Sequence, residues 1–408
     1  MRSVYPYIMY ICILKSENMY IPRVYDNLDY RWKQGKALIV SGPRRIGKTT
    51  LVKQYLSKTN LKYRFETGDD FRTREIFESQ DLQLIRNYLT GLDIIAIDEA
   101  QRIRDVGYSL KLIVDNIPNV RVIATGSASF ELAGQIGEPL TGRKLTLNMF
   151  PISMLELSGV YTQFELQQKL EDILIFGTYP EVLTTDSRAE KIEILKEITG
   201  SYLLKDILEM DKVKSHKTIV NLLKMIALQV GSEVSFSEIG RQLQIDNKTV
   251  ARYVDLFEKS FIIYSLSAFS RNLRNELAGK NKYYFYDNGI RNALISNFNA
   301  FDMRNDTGGL WENFMVLERI KRNAYKGFSP NLYFWRTYDQ KEIDMIEERD
   351  GGLFGYEFKW GKKMPKPPKL WTETYSEASY TVYSPDNYLN FVTESENPPY
   401  CPPKIIEE

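Results

Sequence analysis

The chain has 408 residues, too many for a single hydrophobic core, so it should fold as two or three domains. Hydrophobic residues make up 43% and charged residues 26% of the sequence, which excludes a disordered or a fibrous protein. Because the formal net charge is only +1, a nucleic-acid partner would need a local basic surface.

The cysteines and the histidine limit the chemistry further. Cys12 and Cys401 lie at opposite ends of the chain, which excludes a disulfide framework and a four-cysteine zinc site. This usage fits a reducing compartment, and we expect a cytoplasmic protein. His216 is the only histidine in the sequence, which argues against a mechanism that needs a histidine as the general base. A metal ion would need oxygen ligands, which favours magnesium or manganese.

The first residues form an apolar run over residues 1–14 that Pro6 interrupts. The run is shorter than the roughly 20 apolar residues of a membrane span, and no small-x-small cleavage site follows it. Met19 is an alternative start, which would make residues 1–18 an extension or a mobile arm. No later segment reads as a membrane span, and we expect no membrane partner.

The first motif that carries chemistry follows a predicted strand, Lys36–Val40. Residues Gly42–Thr49 match G-x-x-x-x-G-K-[ST], and a helical pattern follows at Thr49–Lys58. In such a loop backbone N–H groups point at phosphates, Lys48 reaches the β- and γ-phosphates, and Thr49 ligates magnesium. We therefore expect an ATP–Mg²⁺ site. Its predicted nucleotide-binding residues are Gly42, Pro43, Arg44, Arg45, Ile46, Gly47, Lys48, Thr49 and Thr50.

A pair of carboxylates ends the next buried-strand pattern, Asp93–Ile97. In a P-loop enzyme Asp98 would be a magnesium ligand, and Glu99 would act as the general base that polarises the attacking water. The alternative is that the pair only caps the following helix.

Two hydroxyl residues follow the strand pattern Val120–Ala124. Thr125 and Ser127 are candidates for contact with the γ-phosphate or the attacking water. Ordinary turn chemistry explains a cluster of glycine and serine equally well, so both interpretations stay open.

The predicted strands and helices alternate, which predicts an α/β fold with a parallel sheet covered by helices on both faces. Ligands of such sheets bind at the carboxyl ends of the strands, where these motifs fall. The strands are Lys36–Val40, Tyr63–Glu66, Asp93–Ile97, Val120–Ala124 and Lys144–Asn148, and the helices are Thr49–Lys58, Arg72–Leu89 and Tyr108–Ile117.

Several segments together resemble a prokaryotic AAA+ family of ATP-binding proteins with a C-terminal domain of unknown function, and the resemblance covers nearly the whole chain. The segments are GPRRIGKTTL, IIAIDEAQRI, VIATGSAS, LTGRKLTLNMFPIS, FGTYPEVL (Phe176–Leu183), SYLLKDIL (Ser201–Leu208), YFYDNGIRNAL (Tyr284–Leu294) and GGLWENFMVLE (Gly308–Glu318). Typical members begin near an MYIPR-like segment, which supports Met19 as the start.

By this resemblance Arg143, in LTGRKL, looks like a catalytic arginine that reaches the nucleotide of a neighbouring subunit. The resemblance thus implies a homo-oligomer whose ATP hydrolysis depends on assembly. A plain surface arginine is an equally open interpretation. The lid region, residues 150–210, shows no clear second sensor arginine.

The middle of the chain reads as a winged helix-turn-helix, with three short helices and then the strands Phe261–Leu266 and Lys282–Tyr286. Ser235 begins a capping-box pattern for the second helix, and Asp246 or Asn247 caps the third. Candidate phosphate contacts are Lys248, Thr249, Arg252, Arg271, Arg274, Lys280 and Lys282. The acidic residues Asp255, Glu258 and Glu276 dilute this charge, so DNA binding and a packing role both stay open.

The C-terminal part carries a constellation of charges on the predicted strands Asn331–Arg336, Glu342–Ile346 and Leu353–Trp360. Alternation on a strand puts Glu357 and Lys359 on one side, and a hairpin brings Asp344 beside them. With Glu312 on the preceding helix, the set resembles a PD-(D/E)XK nuclease core. That resemblance implies magnesium ligands at Glu312, Asp344 and Glu357, with Asp344, Glu357 and Lys359 as catalytic residues. Solvated charge pairs on an exposed strand are the alternative.

The sequence thus predicts an N-terminal extension (1–18), an AAA+ P-loop core (19–150), a helical lid or linker (151–215), a winged helix (216–282) and a nuclease-like α/β domain (283–408). The favoured function is an ATPase that couples its Mg–ATP state to regions engaging DNA. The alternatives are a magnesium-dependent nuclease gated by ATP and a non-catalytic ATP-sensing adaptor.

Overall fold

The structure is a computed structural model that describes residues 20–127, 139–202, 216–270, 280–337, 339–362 and 364–393. Its first part alternates strands and helices. The strands are β1 (Ala37–Ser41), β2 (Tyr63–Thr67), β3 (Ile94–Asp98), β4 (Arg121–Gly126) and β5 (Lys144–Asn148). The helices are α1 (Lys48–Lys58), α2 (Phe71–Glu78), α3 (Leu82–Tyr88) and α4 (Val106–Asn116).

The five strands form one parallel sheet in the order β2-β3-β4-β1-β5. The central strands are rich in branched residues and are buried along almost their whole length, as expected for a sheet covered on both faces. Because the strands are parallel, the loops that follow β1, β3 and β4 meet at one edge. The α/β fold predicted from the sequence is confirmed, and this edge places the predicted nucleotide residues together.

One predicted helix was wrong in its extent. Residues 72–89 form two helices, α2 and α3, because the chain turns at Gln80, whose φ of 53° is left-handed. The side chain of Asp81 accepts hydrogen bonds from Gln83 N and Leu84 N and so begins a new helix.

A helical region follows β5. Its helices are α5 (Met154–Leu157), α6 (Gln163–Phe176), α7 (Pro180–Thr184) and α8 (Arg188–Glu197), and a π-helical turn follows at Ile198–Tyr202. Capping boxes begin two of these helices, with Ser153 paired to Glu156 and Thr162 paired to Glu165.

Three helices and a hairpin then follow in the predicted order: α9 (His216–Leu228), α10 (Phe236–Leu243), α11 (Asn247–Lys259), β6 (Ile263–Ala268) and β7 (Lys282–Phe285). Ser235 and Asp246 are the N-caps of α10 and α11. The C-terminal elements are α12 (Asn288–Leu294), α13 (Thr307–Lys326), β8 (Asn331–Arg336), β9 (Glu342–Arg349), β10 (Gly352–Phe358), α14 (Lys369–Thr374), β11 (Ser379–Tyr383) and α15 (Leu389–Thr393), with a 3₁₀ turn at Phe301–Met303.

The second sheet joins the middle and the C-terminal part of the chain. Its order is β11-β10-β9-β8-β6-β7, because β6 pairs with β8 in parallel through Ser267 and Ala268. The predicted boundary at residues 282/283 therefore falls inside β7, within a sheet that both predicted domains build.

The hydrophobic core is also continuous across predicted boundaries. One cluster of buried side chains includes Val40 on β1, Ile46 in the P-loop, Phe150 after β5, and Trp311 on α13. Over the described ranges, no helix combines the length and the apolar character that crossing a membrane requires.

Candidate functional site

The P-loop, Gly42–Thr49, joins β1 to the start of α1. Gly47 is the N-cap of α1 with a left-handed φ of 92°, and having no side chain it leaves the first N–H groups of the helix open toward a ligand. Gly42 lies so close to the carbonyl of Met149 that a Cβ atom there would clash. These two glycines hold the tight turn that phosphate binding needs.

Lys48 is buried, with 5% of its surface exposed, and its Nζ lies inside the loop. It donates hydrogen bonds to the carbonyl oxygens of Gly42 at 2.9 Å and of Pro43 at 2.7 Å. An ammonium group in the hollow of a glycine-bounded loop supplies the positive charge that a polyphosphate needs.

Thr49, Asp98 and Thr125 form a chain of side-chain contacts across the ends of three neighbouring elements. The Thr49 hydroxyl donates to the Asp98 carboxylate at 2.8 and 3.0 Å, and the Thr125 hydroxyl donates to the same carboxylate. Hydroxyl and carboxylate oxygens are the hard donors that Mg²⁺ prefers, so these residues fit that ion.

Glu99 follows Asp98 in a left-handed conformation, with φ at 48°, which is uncommon for a residue with a side chain. Its N–H donates to Thr125 Oγ1 at 3.2 Å, and its carboxylate accepts from Gln101 Nε2 at 2.6 Å. The bond from Gln101 thus fixes the orientation of the Glu99 carboxylate.

The remaining predicted nucleotide residues lie around this centre. Ser127 is fully buried just after β4, whereas Thr50 is exposed on α1. Arg45 has a left-handed φ of 62°, and its guanidinium pairs with Glu181 at 3.2 Å and Glu197 at 2.8 Å in the helical region. The P-loop is thus joined to the helical region by two ion pairs that the sequence did not indicate.

Arg143 lies away from the P-loop of its own chain. It immediately precedes β5, its carbonyl accepts from Ala37 N at 2.8 Å, and its guanidinium pairs with Asp115 at 2.6 Å. The start of β5 is the opposite edge of the sheet from the P-loop, about 15 Å away along five residues of strand. The structure therefore does not bring Arg143 to the predicted nucleotide residues of its own chain.

Arg23 is the residue of this region that the sequence analysis missed. Its buried guanidinium donates to the carbonyl oxygen of Ile46 in the P-loop at 2.6 Å and to that of Phe150 at 2.7 Å. It also pairs with Glu156 at 2.8 Å and contacts the hydroxyl of Tyr325 at 3.1 Å. The MYIPR-like segment contains this arginine, but its partners lie far away in sequence.

The C-terminal constellation is assembled as predicted from alternation and the hairpin. Asp344 on β9 lies beside Glu357 and Lys359, with Lys359 Nζ at 2.6 Å from Glu357 and at 3.8 Å from Asp344. The Asp344 carboxylate also accepts from Phe358 N at 2.8 Å. One Glu357 carboxylate oxygen is buried and has no hydrogen-bond partner among the residues that the structure describes.

Glu342 and Lys282 also lie in this group of charges, which we call the acid cluster, although the sequence analysis did not place them there. The other members are Glu312, Asp344, Glu357 and Lys359. Glu312, Glu342 and Asp344 can bring one oxygen each within 4.8 Å of one another, a set that could hold a metal ion. Lys282 is 1% exposed, and its Nζ pairs with Glu312 at 2.9 Å and contacts Glu342. The prediction that Lys282 meets DNA phosphates was wrong, since its ammonium is buried among carboxylates.

The charged groups of the acid cluster shift one another's pKa values. Burial raises the pKa of Asp344 well above its usual value, and the nearby carboxylates of Glu312 and Glu357 raise it further. Burial lowers the pKa of Lys282, but the carboxylates of Glu312, Asp344 and Glu342 outweigh burial, so its pKa is raised. The surrounding carboxylates therefore favour the charged form of the buried Lys282 ammonium.

The other predicted DNA contacts differ in exposure and in bonding. Lys248 and Arg252 are exposed on α11 and Lys280 is exposed before β7, whereas Thr249 bonds to Asp246 as part of the helix cap. Lys259 pairs with Asp255 on the same helix at 2.8 Å. Arg271 and Arg274 lie outside the described residues, as do Glu276 and the extension 1–18 with Met19.

Models of known protein families match three successive parts of the chain. Residues 34–158 match the model of an AAA domain. Residues 167–300 and 307–393 match two models described as domains of unknown function, DUF8612 and DUF4143.

The relatives found by sequence are themselves uncharacterized proteins. One from Mycobacterium tuberculosis is 28% identical over 326 residues, which cover 79% of this chain and 70% of that protein. One from Haemophilus influenzae is 27% identical over 333 residues, covering 76% and 79%. One from Methanocaldococcus jannaschii is 25% identical over 346 residues, covering 76% and 72%.

Similar solved structures include RuvB and a signal transduction ATPase. RuvB of Thermotoga maritima is 16% identical, with a TM-score of 0.30, over 61% of this chain and 91% of that one. A signal transduction ATPase with numerous domains from Pyrococcus horikoshii is 13% identical, with a TM-score of 0.29, over 75% and 46%.

The strand order, the P-loop at the carboxyl edge and the match to the AAA model define the class of the first part. It is a P-loop fold of the AAA+ kind, which supports ATP binding. A helical region and a further α/β sheet follow it in the same chain.

Proposed function

We propose that the protein is an ATPase that binds Mg–ATP at Gly42–Thr49 and transmits its nucleotide state to the C-terminal half, where nucleic acid is engaged. The observation that carries the proposal is the convergence of Lys48, Thr49, Asp98 and Glu99 at the carboxyl edge of one parallel sheet.

Each residue has a role that its position supports. The N–H groups at the start of α1 and Lys48 bind the phosphates, while Thr49 and Asp98 would hold Mg²⁺. When bound, Mg²⁺ neutralises charge that develops on the transferring phosphoryl group. Glu99 accepts a proton from the attacking water, and Gln101 keeps its carboxylate oriented for that step.

Oligomerisation is part of this proposal. Arg143 lies at the edge of the sheet opposite its own P-loop and is half-exposed beside Asp115. A neighbouring chain docked on that edge would receive the guanidinium at its nucleotide, where a positive charge stabilises the transition state.

The experiment is calorimetric titration of ATP with magnesium, followed by measurement of phosphate release. Wild type should bind and hydrolyse ATP, and Lys48→Ala should bind about 10-fold more weakly or worse, because hydrogen bonds to charged groups contribute about 1.5–3 kcal/mol. Lys58→Ala, at the exposed end of the same helix, should match wild type. Undiminished turnover in Lys48→Ala would refute the proposal.

A magnesium-dependent nuclease is the second candidate, and the cluster of Asp344, Glu357, Lys359 and Glu312 favours it. The order α13-β8-β9-β10-α14-β11, with β11 parallel to β10, also supports a PD-(D/E)XK-like core. Incubation with magnesium and varied DNA substrates tests it. Nicking that disappears in Lys359→Ala supports cleavage, and nicking that persists equally in that variant or never occurs removes this candidate.

A non-catalytic ATP-sensing adaptor is the third candidate. The ammonium of Lys282 between Glu312 and Glu342 favours it, because a fixed internal cation already balances part of the negative charge that a metal ion would balance. Nucleotide that binds without hydrolysis at every protein concentration is the expected signature, and rapid turnover excludes it.

A further inference from the structure

The P-loop and the C-terminal half are joined through one buried side chain, that of Arg23. Its four partners come from four places in the chain: Ile46 in the P-loop, Phe150 after β5, Glu156 on α5 and Tyr325 near the end of α13. The guanidinium offers five N–H donors in a rigid plane, so it can hold several elements in one fixed geometry.

The contact at the P-loop end is direct. Arg23 Nη1 donates to the carbonyl of Ile46, the residue that precedes Gly47 and the start of α1. Binding of phosphate to the loop orders these same backbone groups. Any change in the position of Ile46 on nucleotide binding therefore acts on Arg23.

The contact at the other end is equally well defined. Tyr325 accepts from Arg23 and from Phe150 N at 3.4 Å, and its ring packs edge-on against Tyr25 and Phe150 at 5.2 and 5.7 Å between centroids. A second bond joins the same helix to the lid, from Met154 N to Glu318 at 2.6 Å. The C-terminal half of α13 is thus fixed to the ATPase core.

The other end of α13 carries Glu312 of the acid cluster, which contacts Lys282 and Tyr284. Tyr325 and Glu312 are 13 residues apart on one continuous helix, a distance of about 20 Å. A buried helix transmits a displacement or an ordering along its length, because its packed surroundings resist deformation.

We infer that Arg23 is a positioning residue that couples the nucleotide state of the P-loop to α13, and through α13 to the acid cluster at Glu312. The inference rests on the proposed function, since it requires nucleotide to bind at Gly42–Thr49. It deepens that function by naming the route of communication between the two halves.

The test is hydrogen–deuterium exchange of the full chain with and without a non-hydrolysable ATP analogue and magnesium. In wild type the analogue should slow exchange of amides within 307–326 by about threefold or more, a modest coupling for linked sites. Tyr325→Phe keeps the ring but removes the hydroxyl, leaving Arg23 bonded to Ile46 and Phe150. It should bind the analogue within about threefold of wild type and lose at least half of the slowing.

Tyr388→Phe is the matched control. Tyr388 is buried beside Trp311 and Phe314, and its hydroxyl has no hydrogen-bond partner in the part of the chain that the structure describes. Deleting that hydroxyl should leave the response of α13 as in wild type. If Tyr325→Phe melts well below wild type, Arg23→Lys provides the second variant, since a lysine keeps the charge but cannot reach all four partners.

The outcomes separate the two claims. Absence of analogue binding to wild type by calorimetry would overturn the function and the coupling together. Normal binding with an unchanged response of residues 307–326 in Tyr325→Phe and in Arg23→Lys would overturn the coupling alone. A reduced response in these variants with retained binding, and not in Tyr388→Phe, is the expected result.

Discussion

The hydroxyl of Thr49 donates to both carboxylate oxygens of Asp98, at 2.8 and 3.0 Å, across 49 positions in sequence. This pairing joins the first turn of the helix after the P-loop to the end of a neighbouring strand. The two residues proposed to hold magnesium are therefore in direct contact, and Thr125 bonds to the same carboxylate.

Removing the Thr49 hydroxyl should weaken the response to magnesium. In Thr49→Ala we expect the magnesium concentration for half-maximal ATP turnover to rise about 10-fold or more, since losing a ligand should cost at least as much affinity as losing a group that orients a ligand. Thr49→Ser keeps the hydroxyl and should stay close to wild type. Identical magnesium titrations for Ala and wild type would contradict the assignment of Thr49.

Glu99 can be separated from nucleotide binding. Glu99→Gln keeps the size of the side chain but cannot accept a proton, so turnover should fall about 100-fold or more while ATP affinity stays within about threefold. Phosphate release and calorimetry give the two values. Glu75→Gln, exposed on α2, is the control and should change neither. Full activity in Glu99→Gln would remove this residue from the mechanism.

Arg143 should act only in an assembly. Arg143→Ala should leave ATP affinity unchanged but abolish any rise of turnover per chain with protein concentration, with an effect of about 10³-fold at saturation. Asp115→Asn removes the intramolecular partner of Arg143 and keeps its guanidinium, so its turnover should be retained. If turnover of Arg143→Ala still rises with protein concentration as in wild type, Arg143 is a surface residue without a catalytic role.

The pair of Arg319 and Glu347 should make stability depend on pH. Both side chains are fully buried, and two hydrogen bonds of 2.8 Å join them. Burial opposes ionisation of Glu347, but the hydrogen bonds and charge of Arg319 outweigh it and lower its pKa below the ordinary 4.5. A carboxyl whose pKa is lowered by folding stabilises the folded state when the pH is above the pKa of that carboxyl in the unfolded chain. This stabilisation is lost as the pH falls through the pKa in the folded state.

Glu347→Gln should therefore lower the free energy of unfolding by about 3 kcal/mol at pH 7, because it leaves a buried guanidinium without its counter-charge. The difference from wild type should start to shrink as the pH falls below about 4.5, where Glu347 of the unfolded chain takes up a proton, and should disappear below the lower pKa of the folded state. Urea unfolding at several pH values measures it. Glu348→Gln on the same strand is the control, with an effect within about 0.5 kcal/mol. A difference that stays constant down to pH 3 would contradict the assignment.

The sequence predicted those parts of the molecule that depend on short-range patterns. Gly42–Thr49 is a continuous motif, and Asp98 ends a run of branched residues, so their meeting follows from the geometry of a parallel sheet. The contact of Asp344 with Glu357 and Lys359 likewise followed from strand alternation and one hairpin.

The parts that escaped prediction depend on long-range contacts or on a single backbone angle. Arg23 lies 302 positions from Tyr325, and no local pattern indicates that the two meet. Lys282 looked like one more cation of a basic loop, because its burial among carboxylates depends on β9 and α13. The break in the helix predicted over 72–89 depends on the left-handed φ of Gln80, which the helical spacing does not show.

The pairing of β6 with β8 limits how this protein can be divided for experiments. A fragment that starts at residue 283 would lack β6 and the first residue of β7, leaving β8 with an open edge of N–H and C=O groups prone to self-association. Cuts placed near residue 216, before the three helices, would keep that edge covered.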